Sequence, residues 1–331
     1  MPKKMLPLWS YFIIDALVIA ICCTGFYFAY YRIPRELNSE NIVISNPHKP
    51  SVIEGATSAD ADPSESEPAQ ESSEDWAKKF ADKFTSTVVS TENTYTSPNI
   101  SITVEQYTKS DGRHLITYYV ADIYIAKIDC LQCGFAKDKY GVGYAEDMLS
   151  MDKRFNAILA INGDYYGNSK SGVVIRNGIV YRSTPNDSDV CVLYYDGTMK
   201  TFTADEFDLE KAIQDGAYQA WSFGPSLLDE NGESLTDFPT SRVTPKNPRS
   251  VIGYYEPGHY CFVLVDGRDS DYSVGMTMAE LSSLMQELGC KVAYNLDGGQ
   301  SSMMTFNDTY ANQPYKGGRP VSDCILIKEP D

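Results

Sequence analysis

The chain has 331 residues, a net charge of −17 and only three histidines. Nucleic acids bind basic surfaces through their phosphates, so this acidic balance excludes them as partners. His48, His114 and His259 form no HExxH-type pair, which argues against a histidine-based zinc site.

Leu6 to Tyr31 reads LPLWSYFIIDALVIAICCTGFYFAYY, long enough to cross a bilayer. Trp9 and Tyr11 at one end, and Tyr27, Tyr30 and Tyr31 at the other, sit where an aromatic belt would place them. Lys3 and Lys4 before the segment nearly balance Arg32 and Arg35 after it. The acidic bulk that follows favours a cytoplasmic N-terminus and an extracellular main domain. A cleaved signal peptide is the alternative, but no small-x-small cleavage site follows the apolar run. Cys22 and Cys23 also lack the small preceding residue of a lipoprotein signal. The expectation is a single-pass anchor in the cell membrane, residues 1–37 with a short cytoplasmic stub. Asp15 within it costs roughly 2.5–3.5 kcal/mol near the bilayer centre.

Residues 38–75 are rich in Ser, Pro, Ala and Glu and read as a disordered acidic linker. As a coil, 38–70 spans about 30 Å. Residues 76–331 then form the folded domain, opened by an amphipathic helix candidate over Ser73–Phe84 that carries Trp76, Phe80 and Phe84. From about Asn99 the pattern turns to strands, beginning with a hairpin around Asp111-Gly112. Cys130 and Cys133 supply only two ligands for a metal, so a local disulfide or free thiols are expected there. Cys191, Cys261, Cys290 and Cys324 lie in apolar runs and read as packed core thiols.

Three strand ends carry the chemistry. In the first, Ala157–Ile161 runs into Asn162, Gly163, Asp164, Tyr165 and Tyr166. The tyrosines could offer a sugar-stacking face or a hydrophobic plug. Hairpin turns at Asn177-Gly178, Asp196-Gly197 and Asn231-Gly232 follow, with a Thr203-x-x-Glu206 capping box between the last two. In the second stretch, Arg249 opens a strand, and CFVLVDG closes the next one at Asp266, Gly267 and Arg268. Guanidinium groups at strand ends suit bidentate binding of phosphate or carboxylate, with a structural ion pair as the alternative. A helix capped by Thr277 and Glu280 leads to the third, CKVAYNLDGGQSSMMTF. There Asn295 and Asp297 repeat the Asn162 and Asp164 chemistry. Gly298 and Gly299 let a ligand approach the main chain, and Ser301 and Ser302 add hydroxyl donors. A tight Asp-Gly turn is the plainer reading. The expected fold is α+β, a mixed β-sheet with flanking helices, in which the three strand ends meet at one cleft.

The ordered motifs NGDYYG, GVVIRNG, SFGPSLLDENGE, NPRSVIG, VLVDGRDSDYSVGMTMAELSSLMQELG and NLDGGQSSMM resemble the phosphodiester glycosidase family over residues 158–327. The family usually has glycine where this chain has Asp164 and Gln300. The resemblance implies hydrolysis of a sugar-1-phosphodiester at its glycosidic bond, in envelope or exopolysaccharide metabolism. Asp297, then Asp266 and Asp164, are the implied catalytic carboxylates. Arg249 and Arg268 would hold phosphate, with Asn162, Asn295, Gly298, Gly299, Ser301 and Ser302 completing substrate binding. These residues require no cofactor. Acidic clusters could hold Ca²⁺ through oxygens, but no loop has EF-hand spacing. A cell-surface module that binds phosphoglycan without cleaving it would use the same residues.

Overall fold

The computed structural model describes residues 7–27, 33–47, 74–238 and 245–330. Leu8–Tyr27 forms a 20-residue helix, and its Trp9–Tyr27 portion is long and apolar enough to cross a membrane. The rest is dominated by sheets, because its apolar residues alternate and turn-forming pairs punctuate them at short intervals.

The Asp111-Gly112 turn joins two long strands, Ile100–Ser110 and Leu115–Ile125, as the alternation predicts. They sit inside a seven-stranded sheet. Its order is Val292–Asn295, Arg249–Glu256, His259–Val265, Leu115–Ile125, Ile100–Ser110, Thr94–Thr96 and Val89–Ser90. A six-stranded sheet contains Val174–Arg176, Val190–Tyr194 and Ala217–Trp221, and a five-stranded sheet contains Leu159–Asn162, Met304–Phe306 and Asp323–Ile327. The main core lies among these three sheets: Ile102, Ile123 and Phe262 meet Leu193 and Trp221 of the six-stranded sheet and Leu159 and Ile325 of the five-stranded one. Helix Met278–Glu287 covers the other face of the large sheet with Leu281, Leu284 and Met285.

Three expectations are corrected. First, the mixed sheet has no parallel neighbours: every ladder among the described residues is antiparallel. Two-residue turns can join only antiparallel strands. The helix Met278–Glu287 does cross from His259–Val265 to Val292–Asn295, but Arg249–Glu256 lies between those strands, antiparallel to both. Second, the linker expected from residue 38 starts later. Ile42–Val43 pairs with Ile179–Val180, and Ile44 is buried in the core of the six-stranded sheet. An isolated apolar stretch can outweigh a polar neighbourhood when an unpaired strand edge awaits it. The remainder of that linker, 48–73, lies outside the described residues. Third, the Thr203–Glu206 box closes a turn, and the helix begins only at Leu209 under an Asp208 cap. The Thr277–Glu280 box forms as expected. Trp76, on the short helix Glu74–Lys79, is fully buried, so this helix is the domain's edge.

Candidate active site

Asn162 ties the three strand ends together. Its Nδ2 donates to the Asp297 carbonyl (2.7 Å), while its Oδ1 accepts from Ser250 Oγ (2.7 Å) and the Met303 amide (3.3 Å). The Asp297 amide donates to the Gly163 carbonyl, and the Gly299 amide to Pro248 O. A side chain that is fully buried and fully satisfied fixes three loops in one register.

On this base, the loop Asp297–Ser302 lies between two arginines. Arg319 donates through Nη2 to Asp297 Oδ2 (2.8 Å) and through Nε to Ser301 Oγ (2.6 Å). Its guanidinium lies 5.1 Å from the centre of the Tyr165 ring. Arg268 sits across the loop, its Nη2 2.9 Å from where a Gly299 Cβ would be. Its guanidinium lies 5.4 Å from the Tyr315 ring. Gly299 has φ +68°, so glycine is required there by backbone and by space alike. Tyr165 and Arg268 are themselves left-handed, with φ +64° and +65°. Such strain costs about 1–3 kcal/mol per residue and collects at functional sites.

Burial raises the Asp297 pKa, opposed by a Ser301 hydrogen bond and by Arg319. Asn295 Oδ1 and Ser302 Oγ are buried with no partner, although Asn295 Nδ2 donates to Gly224 O (2.8 Å). Among the described residues no group of three or more His, Cys, Asp or Glu side chains is placed to hold a metal ion.

The other two candidate carboxylates lie elsewhere in the hydrogen-bond network. Asp164 takes Arg176 Nη2 at 2.8 Å on Oδ1 and the Ser222 amide at 3.1 Å on Oδ2. Arg176 also pairs with Asp323 at 2.9 Å, and all three side chains are only 1 % exposed. Asp266 accepts from Asn312 Nδ2 (2.7 Å), the Gln313 amide (2.9 Å) and Tyr272 OH (3.0 Å). Burial raises its pKa against those three donors. Arg249 is buried and donates to the carbonyls of Met276 (2.9 Å) and Pro245 (2.6 Å). Burial, then the charge of Arg268, pulls its pKa down to about 10.

Sequence reasoning missed Arg319 and Tyr315. The signal was the Gly317-Gly318-Arg319-Pro320 stretch, in which Gly317 and Gly318 both have positive φ. Gln300, one of the departures from the family pattern, donates to Gly318 O (2.8 Å) and braces the loop that carries Arg319. The six cysteines of the domain are all buried free thiols, including Cys130 and Cys133.

The profile of the phosphodiester glycosidase family matches residues 155–328. The chain belongs to that family. It is 30 % identical over 288 residues to the SPbeta prophage-derived uncharacterized protein YomE of Bacillus subtilis (strain 168), covering 80 % of this chain. The aligned part is 45 % of that relative, so the chain spans less than half its length. Among solved structures, the fold is shared with the catalytic domain of zebrafish N-acetylglucosamine-1-phosphodiester alpha-N-acetylglucosaminidase, auto-inhibited by its pro-peptide. The TM-score is 0.57 at 18 % identity, over 70 % of this chain and 84 % of that one. A hypothetical protein from Synechocystis is similar at a TM-score of 0.47 and 13 % identity, over 70 % of this chain and 62 % of that one.

Proposed function

We propose that this protein is a membrane-anchored hydrolase that cleaves a sugar-1-phosphodiester at the glycosidic bond, on the outer side of the cell membrane. Its setting would be envelope or exopolysaccharide metabolism. The observation that carries the reading is Asp297, buried yet facing a partly exposed Arg319, on a loop flanked by Arg268. The apolar helix Leu8–Tyr27, exposed along the residues described, supports the anchor.

In this reading Arg268 and Arg319 hold the phosphodiester. As the C1–O bond breaks, the phosphate oxygen takes the electron pair and the sugar becomes oxocarbenium-like. Asp297 stabilises that cation or takes a proton from the water that adds to C1. Asn295 Oδ1 and Ser302 Oγ, buried and unpartnered, support the loop from within rather than touching substrate. A phosphomonoester leaves as a stabilised anion and needs no protonation by a general acid. One carboxylate therefore suffices where ordinary glycosidases use two. Asp164 and Asp266 then act as positioning residues: Asp164 holds the Tyr166 amide next to Tyr165, and Asp266 holds Asn312, which donates to Ser302 O.

The commitment of those two carboxylates to internal partners also favours a second reading, a module that binds phosphoglycan without turnover. The full-length chain in detergent, incubated with a panel of sugar-1-phosphodiesters in ¹⁸O-water, separates the two. Hydrolysis with the label on the released sugar is the expected result. Label on the phosphate would mean P–O cleavage and would overturn the mechanism. Tight binding without any product would establish the second reading.

A further inference from the structure

Tyr165 and Tyr166 are chain neighbours with opposite surroundings. Tyr166 is a hydrophobic plug, 2 % exposed, stacked on Tyr140 with ring centres 5.3 Å apart and set edge-on to Phe135. Tyr165 is 38 % exposed, and outside the apolar N-terminal helix only Tyr107 among the described aromatic residues is as open to solvent.

The exposed ring is held in place against the preference of its backbone. Tyr165 has φ +64° and ψ +25°, a left-handed conformation that is costly for a bulky residue. The chain cannot relax around it, because the Tyr166 ring is locked in the core and Tyr165 O takes the Asn168 amide at 3.1 Å. Glycine would adopt this conformation at lower cost. An exposed tyrosine is ordinary by itself. One kept in a strained backbone beside a candidate site points to a use outside the fold.

Its surroundings indicate that use. The Arg319 guanidinium lies 5.1 Å from the Tyr165 ring centre, and it donates to Asp297 Oδ2 at 2.8 Å. A group seated flat on the ring would approach to about 3.5–4.0 Å, so the guanidinium covers the ring face only in part. Asp297 serves C1 in the glycosidase reading, which puts the sugar at the Arg319 and Tyr165 end of the loop. Tyr315, beside Arg268, stands at the other end. A pyranose presents a patch of C–H groups carrying slight positive charge, and the negative face of an aromatic ring attracts them.

We propose that Tyr165 is the specificity-determining platform of the site, the face on which the substrate's pyranose ring lies while Arg268 and Arg319 hold its phosphate. The substrate class is then a pyranosyl phosphodiester. The proposal rests on the glycosidase reading, which supplies the role of Asp297.

The test uses the full-length chain in detergent and two kinds of binding probe. One is a panel of methyl C-pyranosyl phosphonates (gluco, galacto, manno and 2-acetamido forms), in which carbon replaces the glycosidic oxygen. The other is dimethyl phosphate, which has no sugar. The parent should bind at least one phosphonate tenfold or more tightly than dimethyl phosphate. Tyr165→Gly should lose that advantage, bind dimethyl phosphate as the parent does, and unfold in urea at the same or a higher midpoint. Tyr165→Asn, also at ease in this backbone, should behave alike. Tyr165→Phe, which keeps the ring, should retain the advantage. On the matching pyranosyl 1-phosphodiester, KM should rise at least tenfold in Tyr165→Gly. A parent with no preference for any sugar-bearing probe would overturn the proposal. Equal weakening of both kinds of probe would also overturn it, since Tyr165 would then only brace Arg319. A lowered urea midpoint with sugar binding intact would make the ring a structural prop. Hydrolysis by Tyr165→Gly with the parent's KM and kcat would remove the platform and leave the glycosidase reading standing. Phosphonate binding that depends on Tyr165, without hydrolysis of any sugar-1-phosphodiester, would do the reverse.

Discussion

Two strands of this protein end in the same pattern, Asn162-Gly163-Asp164 and Asn295-Leu296-Asp297, and their acids come to opposite uses. Each aspartate pairs with one arginine at 2.8 Å. Arg176, which holds Asp164, is 1 % exposed, whereas Arg319, which holds Asp297, is 39 % exposed. A second acid, Asp323, shares Arg176, and burial pushes its pKa up to about 7. Gly163 is obligatory because the Asp323 carboxyl occupies the place of its Cβ. The first strand end is therefore a sealed knot of two acids and one base. At the second, the countercharge has one face towards solvent, and the carboxylate can exchange part of its pairing for a ligand. Exposure of the partner, rather than the motif, separates the positioning acid from the candidate catalyst.

The largest effects test that separation directly. Asp297→Asn keeps the size but removes the charge, so kcat should fall by 10²–10⁴, the usual scale for acid–base groups, with melting little altered. The parent's acid limb should lie above the ordinary carboxylate range, since burial raises Asp297 and its ionised form is the active one. Asp164→Ala should do the opposite. It leaves the Ser222 and Tyr166 amides without acceptors and unbalances Arg176, costing about 3 kcal/mol in urea unfolding. Turnover per folded molecule should stay close to that of the parent. If Asp164→Ala folded normally and lost turnover, the roles assigned here would be reversed.

The strand-end loops were legible in the sequence, but the contrast between their acids was not, for identifiable reasons. Asn162, Asp297 and Gly299 could be read because a polar strand end followed by glycine leaves few uses for the residues. Asp164 and Asp297 looked alike because the difference lies in their arginines, Arg176 twelve residues on and Arg319 in a distant turn. Arg249 was read as a phosphate ligand, but its place at the start of a central strand turns it inward onto the Met276 and Pro245 carbonyls. Ile42–Ile44 were hidden by polar neighbours, since composition averages over a window longer than a two-residue strand.

Arg319→Lys should give an intermediate effect. One guanidinium fork reaches Asp297 and Ser301 together and lies over Tyr165, whereas an ammonium keeps the charge and loses the planar geometry. If Arg319 grips substrate and transition state alike, KM should rise roughly tenfold with kcat nearly unchanged. Steady-state kinetics on a single sugar-1-phosphodiester would resolve this. A fall in kcat alone would place Arg319 on the developing charge.

The smallest expected effect comes from a third buried acid, which extends the comparison to a carboxylate with no arginine or lysine ion pair among the described residues. Asp152, on the helix Met148–Phe155, accepts from Thr305 Oγ1 at 2.8 Å, and its Oδ2 is buried without a partner. Burial pushes its pKa from 3.8 up to about 6, helped by Asp308 and opposed by Thr305 and Lys153. A raised carboxyl pKa means that the folded state favours the protonated form. Its contribution to stability is present below about pH 4 and is lost as pH rises through about 6. The gap between those pKa values corresponds to roughly 3 kcal/mol of unfavourable ionisation at pH 8. Asp152→Asn removes that charge but buries an amide lacking some partners, so the net gain should be about 1–2 kcal/mol. Urea unfolding of parent and variant, compared across pH 4 to 8, isolates this one group from the other titrating acids. The variant's advantage should shrink towards zero or reverse as pH falls to 4. An advantage that stays constant over that range would mean that Asp152 does not ionise there, and that lost polarity rather than lost charge accounts for the difference.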